Sequence, residues 1–136
     1  MQLRVGRIVI VAIAVEVFAV LTLVLLVALF GPSDEAAVQA YAERLGYWVG
    51  PIAGFVFCLL GGFSVARTLP TSQVLNGLVL GLVVAGIDIG ILVAMGAAFD
   101  PMFAVSNIGR AIAGSLGGWL AVRFSPEPAP QHIEVR

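Results

Sequence analysis

Residues 75–97, LNGLVLGLVVAGIDIGILVAMGA, limit what this chain can fold into more than any other stretch. A run of about 20 apolar residues suffices to cross a bilayer as a helix, and this one is longer. It nevertheless carries glycines at 77, 81, 86 and 90, and a carboxyl group, Asp88, far from either end. At about 100° per residue, Gly77 and Gly81 fall within roughly 20° of Asp88, whereas Gly86 and Gly90 fall on the opposite side. Small residues let helix backbones approach closely in lipid, and a carboxyl on the face of two glycines turns toward protein. The expectation is a helix with protein on both faces.

The remainder is of the same kind. Of 136 residues 60% are hydrophobic and only 11% charged, and the mean hydropathy is +1.07, the composition of a membrane protein. The basic residues are seven arginines without a lysine, and the net charge is −1. No basic stripe exists to neutralise phosphates, so nucleic acid is not an expected partner. Cys58 is the sole cysteine, which excludes an intrachain disulfide. Arg4 and Arg7 precede an apolar run as in a signal peptide. That run, 8–30, is about twice the usual apolar length and lacks a small-x-small cleavage site, so it reads as an uncleaved first span.

Four spans are expected, at about 8–30, 47–66, 75–97 and 105–124, forming one all-α integral membrane domain over residues 1–124. Residues 125–136, Pro-rich and polar, read as a flexible cytoplasmic tail. Between the first two spans, SDEAAVQAYAERLG turns polar and acidic. Ser33, Asp34 and Glu35 form a helix start, and Val38, Tyr41, Ala42 and Leu45 recur at helical spacing. This segment reads either as a short amphipathic helix over about 34–45 on the outer surface or as an extension of span two. Pro51 falls in the first turn of span two, where its missing donor costs little. Thr71 or Ser72 can cap span three, and Asp100-Pro101 signals a turn before span four.

With both termini inside, Arg4, Arg7, Arg67, Arg123 and Arg136 face the cytoplasm and only Arg44 and Arg110 the exterior, which favours an N-in, C-in arrangement. Leu60-Gly61-Gly62-Phe63, ending at Arg67, matches Leu116-Gly117-Gly118-Trp119, ending at Arg123, at a constant offset of 56. Two similarly oriented hairpins related by a pseudo-twofold axis along the membrane normal would produce such a match, as would convergence on glycine-rich sequence. Gly50, Gly54 and Gly61 line one face of span two, and Gly114, Gly117 and Gly118 lie on the small-residue side of span four. With Gly77, Gly81, Gly86 and Gly90 they are the expected helix-packing positions.

GGFSVAR at the end of span two, a short polar connection and NGLVLG opening span three resemble small four-span bacterial membrane proteins classed as domains of unknown function. The resemblance covers residues 61–81 and the Gly-Gly pair of span four. It implies a compact four-helix bundle in a bacterial plasma membrane and brings no activity with it. Ala14-Val15-Glu16-Val17 in a first span resembles the glutamate region of small multidrug-resistance exporters, also four-span proteins. There the match ends, since the aromatic signature of their later spans is absent.

Glu16, Asp88 and Arg110 form the candidate intramembrane polar site, because ionisable groups in lipid are costly. Arg110 shares its face with Ser106, Ala113, Gly114, Gly117 and Ala121, and so points into protein. Asp88 and Arg110 stand on neighbouring antiparallel spans about 6 Å apart in level, a gap that arginine can bridge or escape by snorkelling outward. Glu16 is expected to snorkel to the nearby cytoplasmic water. No metal site, cofactor site or catalytic constellation is legible: His132 lies in the tail, and no nucleophile has a basic partner. The expected function is therefore not enzymatic. A structural or accessory subunit packing through glycine faces, as a homo-oligomer or in a larger membrane complex, is the first reading. A small proton-coupled transporter or channel using Asp88 and Glu16 is the alternative.

Overall fold

The computed structural model describes residues 3–124; the expected tail and His132 lie outside them. Among the described residues there are four helices and no strand: α1 (Val5–Phe30), α2 (Glu35–Ala66), α3 (Gln73–Ala94) and α4 (Pro101–Phe124). The first three are each long and apolar enough to cross a membrane. α4 has 24 residues but is diluted by Ser106, Asn107, Arg110, Ser115 and its glycines, so it falls short of that hydropathy despite its length.

Helix ends follow local chemistry. Asp34, not Ser33, caps α2, its Oδ2 accepting from the Ala37 amide at 3.1 Å. Asp100 accepts from the Met102 amide at 2.7 Å and Pro101 occupies the first turn, so α4 begins a turn earlier than the expected 105. At the end of α3, Gly96 takes φ +67 and the amides of Gly96 and Ala97 return to Val93 and Leu92 carbonyls at 3.0 Å, a Schellman closure that ends the helix before residue 97. Ser72 holds the N-cap position of α3 at φ 61, but its side chain makes no capping bond. Its carbonyl instead accepts from the Asn76 amide at 3.0 Å and from Asn76 Nδ2 at 2.9 Å.

The separate surface helix does not form. Residues 35–46 continue directly into span two as one helix of 32 residues, because Gly46 alone is too weak a breaker when both flanking segments are helical. Val38, Tyr41, Ala42 and Leu45 are half-buried, and Gly46 faces the Leu23 side chain, so this apolar face leans on α1. Pro51 consequently lies in the interior of α2 and not in a first turn.

Glycine dictates the packing. A Cβ at Gly62, Gly77 or Gly114 would collide with backbone of the neighbouring helix, Gly62 and Gly77 both meeting the Gly114 carbonyl. Gly117 lies against the Leu59 carbonyl, Gly118 against Gln73 and Gly81 against Arg110. α4 is thus wedged between α2 and α3, backbone on backbone, while α1 rests on α2 and α3. Gly61 makes room for Val11, Val15 and Leu80 where α1 and α3 approach α2. Ile8, Ala12, Val15, Cys58, Val65, Leu80, Val84 and Ala113 form the core, and the remainder of α1 is a largely exposed apolar surface.

Three packing expectations fail within the chain. At Gly50, Gly86 and Gly90 no neighbouring atom comes within 4 Å of where a Cβ would stand, and Gly86 and Gly90 lie on the side of α3 that no other helix covers. Within this chain α3 therefore has one covered face, not two. Its inward side carries Gly77 and Gly81, while Gly86 and Gly90 run with Leu82 and Val93 along an open side.

Candidate functional site

The three ionisable residues expected inside the membrane come from three helices and meet. Arg110 Nη1 on α4 lies 2.6 Å from Asp88 Oδ2 on α3 and 3.5 Å from Glu16 Oε1 on α1. The guanidinium is bound toward Asp88 and does not snorkel, because an arginine stem is long enough to cover the offset in level between the helices. Its side chain is only 4% exposed.

Glycine makes the space. A Cβ at Gly54 would lie 2.6 Å from Arg110 Nε and 3.1 Å from Nη2, so α2 contributes an absence of side chain where the guanidinium lies. Gly81 brings the backbone of α3 onto the Arg110 carbonyl, which sets the closeness of α3 and α4 at this level. Sequence periodicity places Gly81 on the Asp88 face, and here the two act together.

Glu16 overturns an expectation. Its side chain does not reach solvent; it is 10% exposed and turned inward. Ile8, Ala12, Val15, Glu16 and Ala19 form the one buried stripe of α1, so the glutamate lies on the stripe that packs against α2 and α3. The short distance to the start of α1 suggests escape, but a charge partner inside the bundle competes with water when the stripe is already buried.

Asn107 joins the site although charge alone does not point to it. Its Nδ2 donates to Asp88 Oδ2 at 3.0 Å and to the Phe103 carbonyl at 2.8 Å, and its Oδ1 accepts from Arg110 Nη1 at 3.3 Å. The sequence holds a signal for it: an asparagine three residues before a buried arginine lies on the same helical face, where an amide is costly unless bonded. Among the described residues two buried side-chain atoms retain no hydrogen-bond partner, Glu16 Oε1 and Arg110 Nε.

A second polar set fastens the end where α1 begins and α2 turns into α3. Arg7 donates to Thr68 Oγ1 at 2.7 Å and to the Ser64 carbonyl at 2.8 Å, and the Arg4 amide donates to Asn76 Oδ1 at 3.2 Å. These contacts tie α1 to the α2–α3 connection and carry no evident chemistry. Among the described residues no group of three or more His, Cys, Asp or Glu side chains could hold a metal ion.

No family model matches the chain, and neither a curated protein nor a solved structure does.

Proposed function

We propose that the chain is a multi-pass protein of a bacterial plasma membrane that works as a structural or accessory subunit, associating with itself or with a larger membrane complex through the open face of α3. All four helices cross the bilayer in this reading, with both termini in the cytoplasm, as the arginine distribution favours. Both Gly-Gly pairs lie at helix crossings, which supports a compact bundle.

The observation that carries the reading is the contrast among the glycines. Those at 54, 61, 62, 77, 81, 114, 117 and 118 are filled by neighbours, whereas Gly86 and Gly90, spaced four apart on an open apolar face, are not. Small residues at that spacing allow a second helix to approach closely in lipid. The test is cysteine crosslinking in native membranes, with Val93→Cys in a Cys58→Ala background. A crosslinked dimer, or a crosslink to a co-purifying chain, that disappears with Gly86→Leu supports the proposal. A chain that remains monomeric and co-purifies with nothing removes it.

A second reading, proton-coupled transport or a channel, draws on one specific observation: Glu16 and Asp88 meet on a single guanidinium nitrogen deep in the bundle. Reconstituted protein should then show flux driven by a pH gradient, abolished by Asp88→Asn. Absence of flux in sealed vesicles removes that reading.

A further inference from the structure

The charges at the centre of the bundle do not balance. Arg110 is the only cation within 4 Å of either acid among the described residues, and it faces two carboxyl groups. Both ionised would leave a net negative charge inside the bundle, where Glu16 is nine-tenths buried and an uncompensated anion is costly. One further positive charge resolves this. A metal ion is a poor candidate for it, because among the described residues no three His, Cys, Asp or Glu side chains are placed to hold one, whereas a proton needs no ligand shell.

The hydrogen bonds distinguish the two acids. Asp88 Oδ2 accepts from both Arg110 Nη1 and Asn107 Nδ2, the environment of a carboxylate. Glu16 is nine-tenths buried, its Oε1 is directed at the same nitrogen from 3.5 Å, and no donor reaches that oxygen. Groups facing the cluster come from every helix: Glu16 from α1, the buried thiol of Cys58 from α2, Asp88 from α3, and Arg110 with the neutral Asn107 from α4. Of the two carboxyl groups, Glu16 is the one whose inward oxygen lacks a hydrogen-bond donor.

We propose that this cluster is a binding site for a single proton, in which Arg110 and Asn107 hold Asp88 as the anion and the proton resides on Glu16. Uptake transfers a proton from hydronium to a Glu16 carboxylate oxygen, leaving water, and release is the reverse. Arg110 Nη1 faces both acids, so the released state has a guanidinium already in place between two anions. Asn107 is a positioning residue, aiming its donor at Asp88 and so fixing which acid stays charged. This deepens the proton-carrier reading but concerns binding alone, and a failed flux assay leaves it standing.

The experiment is infrared spectroscopy of the purified full chain in lipid nanodiscs at neutral pH, observing the carbonyl stretch of a protonated carboxylic acid. Wild type should show one such buried group, and Glu16→Gln should lose it. Asp88→Asn should also lose it, because Arg110 is then left to Glu16 alone and one anion balances one cation. No protonated carboxyl in wild type, or two of them, overturns the proposal, and this readout requires no variant to fold. Because either substitution removes the surplus charge, the acid is identified by isotope: the band should shift when glutamate side-chain carboxyls carry carbon-13, and a band that shifts with labelled aspartate instead places the proton on the wrong acid and overturns the proposal equally.

Discussion

Replacing Gly81 by alanine tests the packing most directly. The new methyl would lie 2.5 Å from the Arg110 carbonyl oxygen and 2.7 Å from Ala111 Cα. Unstrained non-bonded carbon contacts are about 3.5–4.0 Å, so the helices must separate by roughly 1 Å at this level. No flexible side chain can yield there, since the seam at Gly77, Gly81, Gly114 and Gly118 is backbone on backbone. Overpacking of this kind costs about 1–3 kcal/mol and belongs at the upper end here. The ordinary gain from Gly to Ala in a helix, about 1 kcal/mol, offsets part of it. A net loss of about 2 kcal/mol is expected, roughly a thirtyfold fall in the folded-to-unfolded ratio. Gly86→Ala is the internal control: nothing lies within 4 Å, so it should be neutral or gain up to about 1 kcal/mol. The assay is unfolding by sodium dodecyl sulfate in mixed micelles, at protein dilutions where self-association does not contribute, followed by Trp48 and Trp119 fluorescence. A Gly81→Ala midpoint at or above wild type, or equal midpoints for the two variants, would refute the reasoning.

Two further outcomes follow from the same geometry. Arg110→Ala leaves the buried Glu16 and the half-buried Asp88 without their cation and should destabilise the bundle by about 3 kcal/mol in the same titration, whereas Arg110→Met combined with Glu16→Met and Asp88→Leu should recover most of that loss. Cys58 is fully buried, so a membrane-permeant thiol reagent should label it only as the protein unfolds, its rate tracking the midpoint measured by fluorescence.

What the sequence reveals and what it conceals separate along physical lines. Helical periodicity places Gly77, Gly81 and Asp88 on one face, and that face is the packed one, because angular position is a local property. The same arithmetic places Gly86 and Gly90 opposite, but whether a face meets a neighbour depends on how many helices surround it, and here none does. Glu16 illustrates the limit most clearly. Its distance from the helix end is readable, but its pairing with Arg110 arises from α1 resting against α2 and α3, across a separation of 94 residues. Asp88 and Arg110 stand out as candidates in the sequence, which leaves open only the direction of the arginine. Asn107 does not stand out, because a search for charge passes over neutral amides, although a buried amide needs partners as much as an ion does. The continuity of α2 turns on a single glycine at 46, where local signals are nearly balanced.

The position of Pro51 has its own mechanical meaning. Proline supplies no amide proton to the Tyr47 carbonyl, so the 32-residue rod has a soft joint just above the place where Gly54 makes room for the guanidinium. Thirty-two residues measure about 48 Å against a hydrocarbon slab of about 30 Å, so more than a third of the rod projects beyond the lipid. A load applied to that acidic tip would flex the rod next to its contact with Arg110, which makes α2 a tiller rather than a post.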